Sequence, residues 1–91
     1  MTQEEISELL ENVRDHITNH NHHDYYVWYT PSSEEEWSDN CSYVTFEVYA
    51  YSDQDDGREW TEEWFVDSDG KIGIYGEKTY DNYDDFKLNW L

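Results

Sequence analysis

An imbalance of 23 carboxylates against five lysines and arginines, net −18 over 91 residues, limits most strongly what this chain can fold into. Like charges repel in a compact state, and a carboxylate is not buried without a partner. Nearly every acid must therefore lie on the surface, leaving the remaining side chains to build the core. Chains this acidic are often disordered, but disordered acidic chains are poor in aromatics, and here 19% of residues are Phe, Trp or Tyr. A folded domain is expected, and residues 1–91 are few enough to form a single one with a modest core.

The same imbalance excludes whole classes of function. A protein that neutralises phosphates needs clustered Lys and Arg, so direct nucleic-acid binding is excluded. No run of ~18 apolar residues exists to cross a membrane. The N-terminus opens with Glu4, Glu5, Glu8 and Glu11, where a signal peptide would carry basic residues before an apolar stretch. A cytoplasmic location is expected. Cys41 is the lone cysteine; it rules out an internal disulfide, fits a reducing compartment, and leaves open a bridge between two chains.

Along the chain, Thr2 followed by Glu5 forms a capping box, and Ile6, Leu9, Leu10, Val13 and Ile17 recur at helical spacing. A helix over 3–18 is predicted, ending in the Asn- and His-rich segment 19–23. Tyr25 to Thr30 reads as a first strand and Pro31 to Asn40 as a polar loop. From Ser42 to Ser52, Val44, Phe46, Val48 and Ala50 alternate with Tyr43, Thr45, Glu47, Tyr49 and Tyr51, the pattern of a central strand. Arg58–Asp67 and Lys71–Glu77 supply the third and fourth strands, and 81–91 a short terminal helix. The predicted fold class is α+β, ordered α-β-β-β-β-α: an N-terminal helix packed on a four-stranded antiparallel sheet, with a short C-terminal helix.

Register follows from matching the apolar sets. Pairing Ser52 with Arg58 brings Phe46 opposite Trp64, Val44 opposite Val66 and Ala50 opposite Trp60. The other face then collects Glu47 opposite Glu63, Tyr51 opposite Glu59 and Tyr43 opposite Asp67. In the next hairpin, a three-residue loop Ser68, Asp69, Gly70 with Gly70 left-handed pairs Val66 with Ile72 and Trp64 with Ile74. Glu62 falls on the apolar face, which implies an edge, a bulge or a register error.

The residues that invite chemistry have plainer readings. His16 and His20 lie one helical turn apart, with His22, His23 and Asp24 close behind. They read as a polar helix end, and no metal is expected, since zinc needs several converging ligands. Asp53, Gln54, Asp55, Asp56 and Gly57, with Glu63 six residues beyond the glycine, resemble a calcium loop. Gly57 falls where a ligand is required and no helix pair flanks the run, so it reads as an acidic hairpin loop. No nucleophile–base motif or glycine-rich phosphate loop is present; neither enzymatic activity nor a cofactor is expected.

The acid pattern carries more information. Residues 34–69 hold thirteen acids with Arg58 as the sole base. Alternate strand residues are ~6.7 Å apart and duplex phosphates ~3.4 Å per step, so carboxylates on a sheet face can stand in for every second phosphate. A like-charge Glu47–Glu63 pair opposes folding, as does a helix stripe of Glu4, Glu8, Glu11 and Asp15. The residues expected to meet a partner are Glu34, Glu35, Glu36, Asp39, Glu47, Asp53, Asp55, Asp56, Glu59, Glu63 and Asp67, with Tyr49 and Tyr51 as aromatic anchors.

In size, charge, absence of catalytic motifs and the acid-rich segment 34–69, the chain resembles the small acidic DNA-mimic inhibitors of bacteriophages and mobile elements, of anti-CRISPR and anti-restriction type. That resemblance implies a mode of action: occupation of the basic DNA- or RNA-binding groove of a CRISPR effector or other nuclease, in the host cytoplasm if phage-encoded. The alternatives are an immunity protein that neutralises a basic nuclease toxin, or an acidic structural or calcium-responsive module.

Overall fold

The structure is a computed structural model, and it describes residues 1–20, 27–53 and 57–90. Helix α1 spans Gln3–Asn19 and starts as the capping box requires: the Thr2 hydroxyl accepts from the Glu5 N–H at 3.2 Å, and the Glu5 carboxylate accepts from the Thr2 N–H at 2.9 Å. These hydrogen bonds hold the exposed Glu5 carboxyl below its usual range. Ile6, Leu10, Val13 and Ile17 form the buried stripe, with Leu9 half-buried at its margin.

Five strands follow: β1 (Val27–Trp37), β2 (Tyr43–Ser52), β3 (Arg58–Asp67), β4 (Ile72–Ile74) and β5 (Lys78–Tyr80). They form an antiparallel meander in the order β1-β2-β3-β4-β5. Helix α2 (Tyr83–Asn89) closes the chain, its N-cap Asn82 accepting from the Asp85 N–H at 2.8 Å. The class is α+β, with a helix at each end of a five-stranded sheet. Among the described residues, no helix is long and apolar enough to cross a membrane.

The β2–β3 and β3–β4 registers agree with the predicted ones, including Phe46 opposite Trp64, Glu47 opposite Glu63 and Val66 opposite Ile72. Gly70 adopts φ 83° in its three-residue loop, as a left-handed position there demands.

Two expectations are corrected. The sheet has five strands rather than four, because the chain turns at Gly76 (φ 79°) and Lys78–Tyr80 returns alongside β4. That short strand is held by Tyr80, which is buried with its ring 5.5 Å from Phe86. Residues 31–37 are not loop but the second half of β1. Pro31 is tolerated because β1 is an edge strand and its register with β2 shifts at a bulge between Pro31 and Glu35. The pairing demand of the apolar β2 overrides the weak strand preference of the Ser-Ser-Glu-Glu-Glu run. Proline, bulge and charge together also protect this edge from pairing with another chain. The true turn is Ser38–Ser42, where the Ser38 hydroxyl oxygen accepts from the N–H groups of Ser42 (3.0 Å) and Tyr43 (3.2 Å).

Glu62 keeps the apolar-face position expected for it. Strand β3 pairs with β2 without a bulge or register error, but with β4 only over Trp64–Val66, so at Glu62 its β4 side has no strand partner among the described residues and the strand is locally an edge. The Glu62 carboxylate accepts the indole N–H of Trp60 at 3.2 Å and of Trp64 at 3.1 Å. An acid on the apolar face is thus satisfied by two neutral donors.

Helix α1 covers the inner face of the sheet, burying Val44, Phe46, Val48, Trp64, Val66, Ile72 and Ile74. Helix α2 closes one end: Phe86 and Trp90 each stand with ring centroids 5.8 Å from Trp64. Edge-on packing of this kind stabilises beyond buried area alone.

Candidate functional site

With α1 on the inner face, the opposite face of the sheet is open, and strand parity decides what it presents. Across the strands run successive rows: Trp28, Tyr51 and Glu59; Thr30, Tyr49 and Thr61; Glu47 and Glu63; Glu36, Thr45, Phe65 and Gly73; Tyr43 and Asp67. Tyr75 follows Glu63, its backbone N–H donating to the Glu63 carbonyl at 2.9 Å. None of the described paired-strand residues of this parity is lysine or arginine. Arg58 and Lys78 have inner-face parity and lie over the rings of Trp60 and Tyr80 at 5.2 and 5.1 Å.

The result is a face with aromatics at both ends and carboxylates between them. Tyr43, Tyr49, Tyr51 and Tyr75 are 41%, 53%, 41% and 48% exposed. Three shallow concavities run along it. One of about 440 Å³ involves Trp28, Tyr49, Tyr51 and Glu59; a central one of about 290 Å³ gathers Glu34, Glu36, Glu47 and Glu63; the third, about 360 Å³, lies among Glu36, Asp39, Tyr43 and Tyr75.

The field of this face is legible in its phenols. The Glu47 charge, together with its acceptance of the Tyr49 hydroxyl at 3.3 Å, raises the Tyr49 pKa, with Glu34 adding to the effect. Tyr75 is also raised, by burial first and then by Tyr43 and Glu63. On the inner side, burial and the charge of Glu62 push Tyr29 up to about 12.

Not all the expected contact residues share this face. Glu36, Glu47, Glu59, Glu63, Asp67, Tyr49 and Tyr51 do, and Glu34 and Asp39 border its concavities. Asp53 is exposed beyond the end of β2. Asp55 and Asp56 lie outside the described residues, as do His22, His23 and Asp24. Glu35 pairs across to Phe46 with inner-face parity, and its carboxylate accepts from Arg14 of α1 at 3.3 Å. Arg14 also binds Glu11 at 3.0 Å and lies 5.4 Å from the Phe46 ring centroid. Glu35 therefore ties β1 to the helix. The helix acids Glu4, Glu8, Glu11 and Asp15 are exposed, and Glu11 reaches toward β1 through the Arg14 guanidinium that it shares with Glu35.

Trp28, Thr30 and Thr61 belong to the face although sequence reasoning did not single them out. Even-numbered alternation carried from Trp28 through Glu36 would have found the β1 members, had the second half of that strand been recognised. Among the described residues no group of three or more His, Cys, Asp or Glu is placed to hold a metal ion. His16 instead stacks on His20 at 4.3 Å and meets Phe86 edge-on at 5.3 Å. Comparison with protein-family models, curated proteins and solved structures finds no match to this chain.

Proposed function

We propose that the protein is an acidic nucleic-acid mimic that inhibits a basic DNA- or RNA-handling protein by occupying its nucleic-acid groove, the target class being a CRISPR nuclease or another host-defence enzyme. The observation that carries this reading is the uncompensated outer face, where Glu47 stands opposite Glu63 within a field of carboxylates. Opposed like charges weaken a sheet, and a surface shaped for folding alone would interleave lysines. The molecule is elongated, 42 × 25 × 22 Å, so its net −18 amounts to roughly one charge per 2.3 Å of length, against about 1.7 Å in a duplex.

The target's lysines and arginines supply the attraction, and exclusion of nucleic acid from the same groove supplies the inhibition. Binding is then steep in salt and mutually exclusive with nucleic acid. The test is a ternary-complex measurement: the partner, retained from cell extract on immobilised protein, is challenged with duplex and single-stranded oligonucleotide at fixed ionic strength. Release by either oligonucleotide supports the reading, and a partner that holds this protein and saturating nucleic acid together overturns it.

The exposed tyrosines favour a second reading, an immunity protein for a basic nuclease toxin, because tyrosine is enriched among interface hot spots. Such a protein binds a single partner tightly without entering its nucleic-acid groove, and the same measurement separates the two.

A further inference from the structure

The outer face is chemically divided, and this inference rests on its being the partner-binding surface. We propose that the concavity at its Trp28 end is an arginine receptor, in which a guanidinium of the basic partner stacks on Tyr49 or Tyr51 and pairs with Glu59. Its volume, about 440 Å³, lies within the ~300–1,000 Å³ of sites that take small ligands, enough for a side-chain head group and its stem. Its walls join aromatic rings, the hydroxyls of Thr30 and Thr61, and one carboxylate.

Those walls choose among occupants. An anion is repelled by Glu59 and by the net charge of −18, and a purely apolar group leaves that carboxylate facing it unpaired. A lysine ammonium is compact and strongly hydrated, whereas a guanidinium lies flat on a ring and still offers in-plane N–H groups to a carboxylate. The protein joins a cation to a ring and a carboxylate elsewhere. Arg14 lies 5.4 Å from the Phe46 centroid while donating to Glu11 and Glu35, and Lys87 lies 4.7 Å from that of Tyr83 while pairing with Asp84 at 3.5 Å, so the preference for arginine rests on its flat, forked donors. The central concavity offers carboxylates with little aromatic surface, so it attracts either cation without preferring arginine.

The test titrates the full chain with two blocked peptides of equal length and charge, one with arginine and one with lysine at every basic position, at ~0.15 M ionic strength. Tryptophan fluorescence gives affinity, and amide shifts of Thr30, Tyr49, Tyr51 and Thr61 give location. The arginine peptide is expected to bind about three- to tenfold more tightly, the scale of one or two stacked guanidinium contacts. Tyr49→Ser with Tyr51→Ser should abolish that preference, weakening the arginine peptide more than the lysine peptide. Tyr49→Leu with Tyr51→Leu keeps apolar bulk without a π face, and serves equally should the serine variant lose its fold. Glu47→Gln, Glu59→Gln and Glu63→Gln together should weaken both peptides. Equal affinity for the two peptides, or a preference that survives loss of both tyrosines, overturns the arginine receptor. That outcome leaves mimicry standing if nucleic acid still displaces the partner; an intact preference beside a ternary complex leaves the receptor standing and removes mimicry.

Discussion

On the inner face of the sheet, the carboxylate of Glu62 lies between two tryptophans and accepts an indole N–H from each. On the outer face, Glu47 stands directly opposite Glu63, among described paired-strand residues that include no lysine or arginine. The same strand, β3, supplies a carboxylate to both faces, at adjacent positions in the chain. Inside, neutral donors remove the conflict between burial and charge, and helix α1 covers what remains. Outside, the conflict is left in place and tyrosines are exposed around it. The contrast separates residues that serve the fold from residues available to a partner.

The largest effect that can break this comparison is truncation of an inner aromatic. Trp64 is fully buried, and Trp64→Ala should lower stability by ~3–5 kcal/mol in denaturant unfolding. Tyr49→Ala, at an exposed position, should stay within about 0.5 kcal/mol of the parent. Equal losses at the two sites would mean that the outer face is as structural as the inner one.

A second test concerns Gly73, where the sheet packs tightly. A Cβ on Gly73 would meet the Phe65 ring, which lies across the β4 backbone. Gly73→Ala should therefore destabilise by ~1–3 kcal/mol as an overpacking change, with most of the loss recovered when Phe65 is also made leucine. Additive losses in that cycle would remove the ring contact as the cause.

Removing the acceptor at Glu62 sharpens the inner half of the contrast. Glu62→Leu strands two indole N–H groups and should cost ~1–3 kcal/mol, while Glu62→Gln, retaining one acceptor oxygen, should lose less. A leucine variant as stable as the parent would show that the paired indoles contribute nothing.

The outer acids should behave in the opposite sense. Glu47→Gln should raise stability by ~0.2–1 kcal/mol at low salt by relieving the cross-strand repulsion, with the gain shrinking toward 0.15 M as the Debye length falls to ~8 Å. A loss, or a gain indifferent to salt, would contradict a self-repelling face.

The smallest effect is a pH dependence at the helix end. Burial beside Phe86 and Trp90 lowers the His16 pKa, with His20 and Lys87 adding repulsion, so the native chain favours neutral His16. Its contribution is complete above the unfolded value of ~6.5 and is lost as pH falls through the lowered native value. His16→Phe should flatten the stability profile over that interval, read by thermal unfolding at stepped pH.

How much of this was legible in the sequence follows from where strict alternation holds. The ten-residue β2 and β3 each carry a period-two pattern, and matching their apolar sets yields one register, hence the correct face for Glu47, Glu59, Glu63 and Asp67. The Lys78–Tyr80 strand is too short to show a period, and its place depends on Tyr80 meeting Phe86. Residues 31–37 look like loop because their strand character comes from β2 rather than from their own side chains. That error also concealed the division within the Glu34, Glu35, Glu36 run, which places Glu35 on the helix side and Glu36 on the outer face. Glu62 looked like a defect because a period-two pattern shows which face a residue takes and not which donors it finds there.

Binding of a basic partner at the outer sheet face, and not at the helix stripe, is the proposal most directly open to measurement. It is tested by comparing two charge-matched variants, Glu47→Gln/Glu59→Gln/Glu63→Gln and Glu4→Gln/Glu8→Gln/Glu11→Gln, for retention of the partner on immobilised protein across a salt gradient. The sheet variant should remain folded and release the partner at markedly lower salt, while the helix variant should elute close to the parent. Full retention by the sheet variant, with loss confined to the helix variant, would contradict it.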